Sequence, residues 1–214
     1  MEILLTQVAP ARDRRVRRSR SALMAAAITL VTERATAAVP LSDIAESADV
    51  SRQVVYQQFG DRDGLLLEAA LDLARRELLP AMVDIGSATL TGRDPALAMA
   101  RHFADHRVFY RAMMTGSSGY ALNKALLELM IPVNREVVGY IYGGQLATEA
   151  AEDLAAFLTG GWGAFVNTWV VEGRDPLDPD EFASRLMQLM ALLIGGLRPG
   201  TTITPDRATP EDDR

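Results

Sequence analysis

The sequence predicts an all-α fold, and three observations support that prediction. Apolar residues recur three and four positions apart over most of residues 20–195, which is the period of a helix. Alanine, leucine and methionine are abundant, whereas the alternation of β-branched residues that marks strands is scarce. Glycine and proline then fall at intervals that separate one helix from the next.

Four short helices are predicted at the N-terminal end. The first covers residues 19–34, and the second covers 42–48. The third covers 52–59 and follows Ser51, a residue type that caps helix N-termini well. The fourth begins near Asp61, which is another good capping residue.

The later helix boundaries are marked by proline and glycine. Asp94-Pro95 and Asp178-Pro179 each predict an N-cap followed by the first helical position. Glycines at 116–119 and at 143–144 predict breaks between helices. Residues from 199 onward contain almost no large apolar side chains, so we expect a disordered tail there.

These boundaries predict a small head joined to a larger domain. We expect a basic, disordered arm over 1–18, a three-helix DNA-binding head over 19–65, a ligand-binding and dimerisation domain over 66–198, and a tail over 199–214.

Composition narrows the class of protein. The chain has a net charge of -6, but arginines crowd its start, as expected if one end meets a polyanion. It contains no cysteine, and no apolar run reaches the roughly 18 to 20 residues that a membrane span needs. No secretory signal pattern is visible, so we expect a cytoplasmic protein without disulfides or a membrane partner. The crowded residues are Arg12, Arg14, Arg15, Arg17, Arg18 and Arg20.

Residues 41–59 have the layout of a helix-turn-helix, in which the second helix can enter the major groove of DNA. At about 100° per residue, Val55 and Phe59 share one face of that helix. Gln53 and Tyr56 lie on the opposite face, together with Gln57, and Arg52 lies at its edge. Arginine and glutamine are the side chains that pair with guanine and adenine edges.

A set of residues in and just after this stretch recurs at fixed spacing: Ile44-Ala45, Ala48, Val50-Ser51, Tyr56, Phe59, the basic residue Arg62 and Leu65-Leu66. With these residues the sequence resembles the TetR family of transcriptional regulators, an all-α family of dimeric DNA-binding proteins. Asp49 departs from the usual turn glycine, Gln58 from a frequent histidine, and Pro40 from a capping Ser or Thr, while the basic residue at 62 is arginine instead of the usual lysine.

The resemblance implies a role for each residue of the head. Arg52 and Gln53 are expected to read bases, and Tyr56 to contact a phosphate and some base edge. Arginines of the N-terminal arm would follow the backbone or enter the minor groove. The full set of expected DNA contacts is Ser51, Arg52, Gln53, Tyr56, Gln57, Gln58, Arg62, Arg17, Arg18 and Arg20.

The last two predicted helices, 154–172 and 181–194, have broad apolar faces. Two copies could bury these faces in a four-helix bundle, although burial within a monomer would also hide them. Trp162 and the segment 169–173 resemble the dimerisation helices of the family. We therefore expect a homodimer that is released from a palindromic operator by a small, mostly apolar effector.

Aromatic and methionine residues between these regions suit an apolar ligand pocket, although most such residues belong to a core. No catalytic set and no cofactor is predicted. His102 and His106 could share one helix face and bind a metal, but without a third ligand in view we expect no metal. A metal-binding or enzymatic bundle built on these histidines is one alternative, and a DNA-binding protein without an effector is another. The expected pocket residues are His102, His106, Phe109, Tyr110, Met113, Met130, Asn134, Phe165, Asn167 and Trp169.

Overall fold

A computed structural model describes residues 11–83 and 92–196, and these residues form helices and connecting turns without any strand. The all-α prediction is confirmed. The head consists of α1 (Ala11–Arg34), α2 (Leu41–Ser47) and α3 (Arg52–Phe59). The rest of the described chain forms α4 (Arg62–Leu73), a π-helical turn (Ala74–Leu78), α5 (Leu79–Val83), α6 (Arg93–Asp105), α7 (Arg107–Thr115), α8 (Gly119–Tyr142), α9 (Thr148–Glu172) and α10 (Pro179–Gly196).

The start of α1 corrects one expectation. Residues 11–18, predicted as part of a disordered arm, are helical and continue without a break into the head. Alanine and arginine are among the best helix formers, and the first turns can therefore propagate from the packed part of the helix. Residues 1–10 and the predicted tail over 199–214 lie outside the described residues.

Of the four predicted N-caps, Asp61 and Asp178 make side-chain capping hydrogen bonds, and Ser51 occupies the N-cap position of α3 without one. Asp61 Oδ1 accepts a 2.7 Å hydrogen bond from the Gly64 amide, and Asp178 Oδ1 accepts one of 2.9 Å from the Asp180 amide. The prediction that Asp94 caps α6 is wrong, because the helix begins at Arg93, two residues before Pro95, and Gly92 is its N-cap. Proline is tolerated there because the first-turn amides have no partner within the helix.

A shared apolar core joins α1 to α4. Leu23, Ala27 and Val31 of α1 are fully buried, as are Leu65 and Leu66 of α4. Burial of large apolar side chains such as these stabilises a fold by about 1.5 to 3 kcal/mol each. The first helix therefore anchors the head to the helix that leads into the larger domain.

The helix-turn-helix packs on that core as its sequence pattern predicts. Ile44 of α2 and Val55 of α3 are fully buried, whereas Phe59 is half-buried. Between the two helices Asp49 adopts a φ of 52°, the left-handed conformation that the missing turn glycine would favour. Aspartate tolerates this conformation better than most residues, so the turn survives the departure from the family pattern.

The larger domain is built on the pairing of α8 with α9 and of α6 with α10. Phe182 of α10 is buried and stacks on Trp169 at 4.1 Å and on Phe165 at 4.8 Å between ring centroids. Arg107 of α7 is buried and donates to the Val170 carbonyl and to Asp175, near the end of α9. Burial lowers the pKa of Arg107, and Arg111 adds to the effect.

Helix α9 is, within the described residues, the one helix whose length and mean hydropathy of 1.3 would allow it to cross a membrane. The sequence-based expectation found no such segment, because charged and polar residues interrupt its apolar run. Core helices of globular proteins have the same composition. In this structure α9 packs along α8 and buries Ala155, Leu158 and Val166.

Candidate nucleic-acid interface and ligand cavity

The outer face of α3 is an exposed polar surface of the head. Arg52, Gln53 and Gln57 are exposed, and the exposed fraction of Tyr56 is 58%. Because Val55 points into the core, the helix cannot turn to hide these groups. A helix anchored on one side and polar on the other is what the major groove requires.

Two residues that flank this helix, one directly before it and one at the start of α4, have polar side-chain groups that make few contacts with the rest of the protein. Ser51 is exposed and caps α3 by backbone position only, since its hydroxyl makes no capping hydrogen bond. Arg62, at the start of α4, is half-buried and pairs with the neighbouring Asp63 at 2.8 Å. The Arg62 guanidinium also holds the pKa of the Asp63 carboxyl below its usual range. Both side chains therefore lie where a phosphate could reach them.

The Arg20 guanidinium is engaged by neighbouring groups of the head. Its guanidinium pairs with Glu68 at 2.7 Å, donates to the Gln58 carbonyl at 3.3 Å and stacks over the Phe59 ring at 4.4 Å. A single cation thus ties α1 to the end of α3 and to α4.

Gln58 is likewise engaged within the protein. Its Nε2 donates to Ser19 Oγ at 3.0 Å, and its Oε1 is buried without a hydrogen-bond partner among the described residues. The expectation that Arg20 and Gln58 contact phosphates stays a prediction, and in this structure both side chains are engaged within the head. Both residues follow the buried side of their helices, because the helices cross at this point.

Arg17 and Arg18 lie on the exposed surface of α1, in the same helix as the exposed Arg14 and Arg15. They form a fixed basic helix rather than a loose arm. A helical row of arginines can neutralise neighbouring phosphates, which is the main source of affinity for nucleic acid.

A cavity of about 120 Å³ lies between the helices of the larger domain. Its polar side chains are Asn123, Asn134 and Thr159, and the other lining side chains are apolar. Methionines are frequent among them, which allows the wall to adapt to different ligands. They are Met82, Met99, Met114, Met130, Met187 and Met190.

Most of the expected pocket residues lie outside this cavity. Met130 and Asn134 line it, and eight of the ten do not. The reason is packing: the helical period identifies a buried face but does not separate the residues that fill a core from those that border a void. The eight are His102, His106, Phe109, Tyr110, Met113, Phe165, Asn167 and Trp169.

The buried polar pair in the cavity wall has a defined orientation. Thr159 Oγ1 donates to the Ala155 carbonyl at 2.7 Å, so it accepts from Asn134 Nδ2 at 2.9 Å. The amide is thereby oriented, with its carbonyl oxygen as the acceptor for a ligand. Sequence reasoning found Asn134 but had no signal for Thr159, because a threonine within a helix carries no distinctive pattern.

His102 and His106 lie near the cavity but not in its wall. His102 is buried and bonds Tyr110 at 2.9 Å through Nε2, whereas the half-buried His106 bonds Glu77 at 2.7 Å through Nε2. Glu77 belongs to the π-helical turn, so the sequence spacing of the two histidines could not reveal it.

Comparisons with known proteins identify the same head. Residues 23–69 match the model described as bacterial regulatory proteins, tetR family. The chain is 29% identical over 151 residues to the HTH-type transcriptional regulator AlkX of Mycobacterium tuberculosis. That match covers 71% of this chain and 64% of the relative, which is less than two thirds of the relative's length.

Two solved structures share the fold. The dihydroxyacetone kinase operon activator DhaS has a TM-score of 0.54 at 14% identity, with 83% of this chain and 96% of that chain covered. NalD, the secondary repressor of the MexAB-OprM multidrug efflux pump in Pseudomonas aeruginosa, has a TM-score of 0.52 at 20% identity, with 84% and 95% covered. One of these neighbours is an activator and the other a repressor.

The two arginine environments on α1 predict different effects of mutation. We expect Arg20→Ala to lower the free energy of unfolding by about 1 kcal/mol, which corresponds to a Tm lower by roughly 2 to 4 °C, because it removes an ion pair and a cation–π contact. Arg17→Ala, the matched control, should leave the Tm unchanged. Thermal unfolding followed by circular dichroism measures both, and equal Tm values would contradict a structural role for Arg20.

Proposed function

We propose that this chain, which belongs to the TetR family of bacterial regulatory proteins, binds an inverted-repeat operator as a homodimer and represses transcription until a small apolar ligand releases it. The observation that carries the proposal is the outer face of α3. It combines a buried anchor, Val55, with exposed polar side chains at Arg52, Gln53 and Tyr56.

The expected DNA contacts fall into two groups. Arg52 and Gln53 read base edges, since their planar donor and acceptor groups match guanine and adenine. Ser51, Tyr56 and Gln57 border the groove at neighbouring positions of the same face. Arg62 belongs with the basic row that includes Arg17 and Arg18, which follows the phosphate backbone and sets the register.

This division predicts distinct binding defects. Arg52→Ala should weaken operator binding by about 1 to 3 kcal/mol and relax the preference at one base pair. Arg62→Ala should weaken binding to all duplexes alike and lower the salt slope by about one. Fluorescence anisotropy on operator and scrambled duplexes measures both effects, and the operator is first located by footprinting upstream of the gene.

Arg101→Ala is the matched control, because Arg101 is exposed on α6 in the larger domain. It should bind the operator as the unchanged protein does. If Arg52→Ala behaved like Arg101→Ala, α3 would not be the recognition helix.

Dimer formation is supported by apolar side chains left uncovered on the last two helices. Phe157 of α9 has an exposed fraction of 69%, and Leu192 of α10 has one of 74%. Leu189 and Leu193 extend the same apolar surface along α10. Two copies of this pair can pack into a four-helix bundle, in which the same patch of each subunit meets its equivalent.

A charge in that surface should dissociate the dimer. We expect Leu192→Glu to shift the mass measured by light scattering from two chains to one, because a carboxylate would be buried without a partner. Tyr120→Glu, at an exposed tyrosine at the start of α8, is the control and should remain dimeric. A dimeric Leu192→Glu protein would assign the interface elsewhere.

The ligand is a mostly apolar molecule with one hydrogen-bond donor. The cavity wall is apolar apart from a few polar side chains, and the orientation of Asn134 presents a carbonyl oxygen. A ligand that fills the cavity gains from burial of its apolar surface, and the Asn134 carbonyl oxygen orients it.

A screen of hydrophobic compounds by thermal shift tests this assignment. For a ligand with a donor group, Asn134→Leu should lower the affinity by roughly tenfold, which is the value of about 1.4 kcal/mol for one lost hydrogen bond. Thr159 keeps its own hydrogen bond to Ala155 in that variant. Asn167→Leu, on α9 but outside the cavity wall, is the matched control and should bind normally. Normal binding by Asn134→Leu together with weakened binding by Asn167→Leu would place the ligand outside this cavity.

The path from cavity to DNA runs through α4. Its continuation supplies Leu78 and Met82 to the cavity wall, and its first residues belong to the head. Ser117 also donates to Asp63 at 3.1 Å, which joins the start of α4 to the turn between α7 and α8. A ligand that prefers one position of this helix changes the separation of the two recognition helices.

Half-sites lie about 34 to 36 Å apart per turn of DNA, so a small change of separation loses the register. The ligand shifts the equilibrium only by its difference in affinity for the two states. A regulator with this mechanism acts in the cytoplasm, where it meets both its operator and its effector.

A further inference from the structure

Three ligand-forming side chains outside the cavity wall lie together at the junction of α6 and α7. They are Glu77, His102 and His106, and one donor atom of each lies within 4.8 Å of the others. These are the two histidines of the chain, which has no cysteine. For a metal that prefers imidazole ligands, this cluster is therefore the one site in the chain with two of them.

One ring nitrogen of His102 is already engaged by a hydrogen bond inside the protein. Tyr110 is fully buried, and its hydroxyl and His102 Nε2 lie 2.9 Å apart. This contact fixes the orientation of the imidazole ring.

The other ring nitrogen of His102, Nδ1, is the one nearer to Glu77. This atom is buried without a hydrogen-bond partner among the described residues, and Glu77 Oε2 lies 3.7 Å away. The same carboxylate oxygen lies 2.7 Å from His106 Nε2. One oxygen and two ring nitrogens therefore surround a small space that a cation could occupy.

We propose that Glu77, His102 and His106 bind a first-row divalent cation, for which Zn²⁺ is the best match. The donor atoms are His102 Nδ1, His106 Nε2 and a carboxylate oxygen of Glu77. Two imidazoles and one carboxylate, with water in the fourth position, form a common tetrahedral zinc site. The Tyr110 hydroxyl is the outer partner that orients such a histidine ligand.

The site needs only small side-chain movements to close. Metal–ligand bonds of about 2.0 to 2.2 Å place tetrahedral donor atoms roughly 3.3 to 3.5 Å apart. His102 is fixed by burial, whereas the side chains of Glu77 and His106 are 43% and 28% exposed and can adjust. The same exposure provides the route by which the ion enters from solvent.

The position of the site makes the ion a cross-link. Glu77 belongs to the π-helical turn that continues α4, and such turns occur often at functional sites. His102 and His106 belong to the end of α6 and the residue before α7. The neighbouring residues Leu78 and Phe103 line the cavity, so the ion would stiffen the wall next to it.

The test is a Zn²⁺ titration of the purified, untagged full chain after treatment with a chelator. Calorimetry, with elemental analysis after dialysis, should show one ion per chain with a Kd tighter than about 10 µM. Co²⁺ in place of Zn²⁺ should give the visible absorption of a tetrahedral complex. A Kd weaker than about 10 µM would overturn the proposal, whatever the protein's affinity for DNA.

Variants at Glu77 and His106, the two proposed ligands that are not fully buried, identify the site. Glu77→Gln can still accept from His106, so it should fold normally, and both it and His106→Gln should weaken Zn²⁺ binding at least tenfold. Glu136→Gln, at an exposed glutamate of α8, is the matched control and should bind normally. Zn²⁺ binding unchanged in Glu77→Gln and His106→Gln would overturn the assignment.

A stability readout separates loss of binding from loss of fold. Zn²⁺ at about a hundredfold above its Kd should raise the Tm of the unchanged protein by roughly 5 °C or more. The Glu77→Gln protein should start from a similar Tm and show no such rise. An equal rise in both proteins would overturn the assignment as well.

Discussion

The packing of α1 against α4 is the constraint on which the other features depend. Leu23, Ala27 and Val31 leave no exposed surface on one side, and Leu65 and Leu66 leave none on the other. This contact positions the helix-turn-helix and also places the start of α4 inside the head. The end of the same helical path borders the cavity, so the two candidate sites share one mechanical element.

Polar contacts of two arginines join helices around this apolar core. Arg20 joins three helices through Glu68, the Gln58 carbonyl and the Phe59 ring, and Arg107 joins α7 to the end of α9. Each guanidinium replaces water with several fixed partners, because an arginine left alone at such a depth would be costly. Arginine therefore packs against neighbouring helices at position 20, whereas it is exposed at position 17.

The cavity and the histidine cluster differ in chemistry although they are close together. The cavity is lined mainly by apolar side chains, among which methionine is the most frequent type and can adapt to an apolar ligand. The cluster holds nitrogen and oxygen atoms around the buried Nδ1 of His102. Leu78 and Phe103 belong to the cavity wall, while the adjacent Glu77 and His102 belong to the cluster, because neighbouring residues of a helix point in different directions.

The helices, the exposed polar face of α3 and the likeness to the TetR family could be predicted from the sequence, because they depend on local period, capping and spacing. Asp61 and Asp178 cap their helices, and Val55 is buried opposite Gln53, as the pattern predicts. Other features were decided by long-range packing alone. It engages Arg20 and Gln58 within the head, and it places Asn134 rather than Asn167 at the cavity. It also brings Glu77 next to the two histidines. A helical period assigns each residue to a face, but only the crossing of helices determines which faces meet and where they leave a gap.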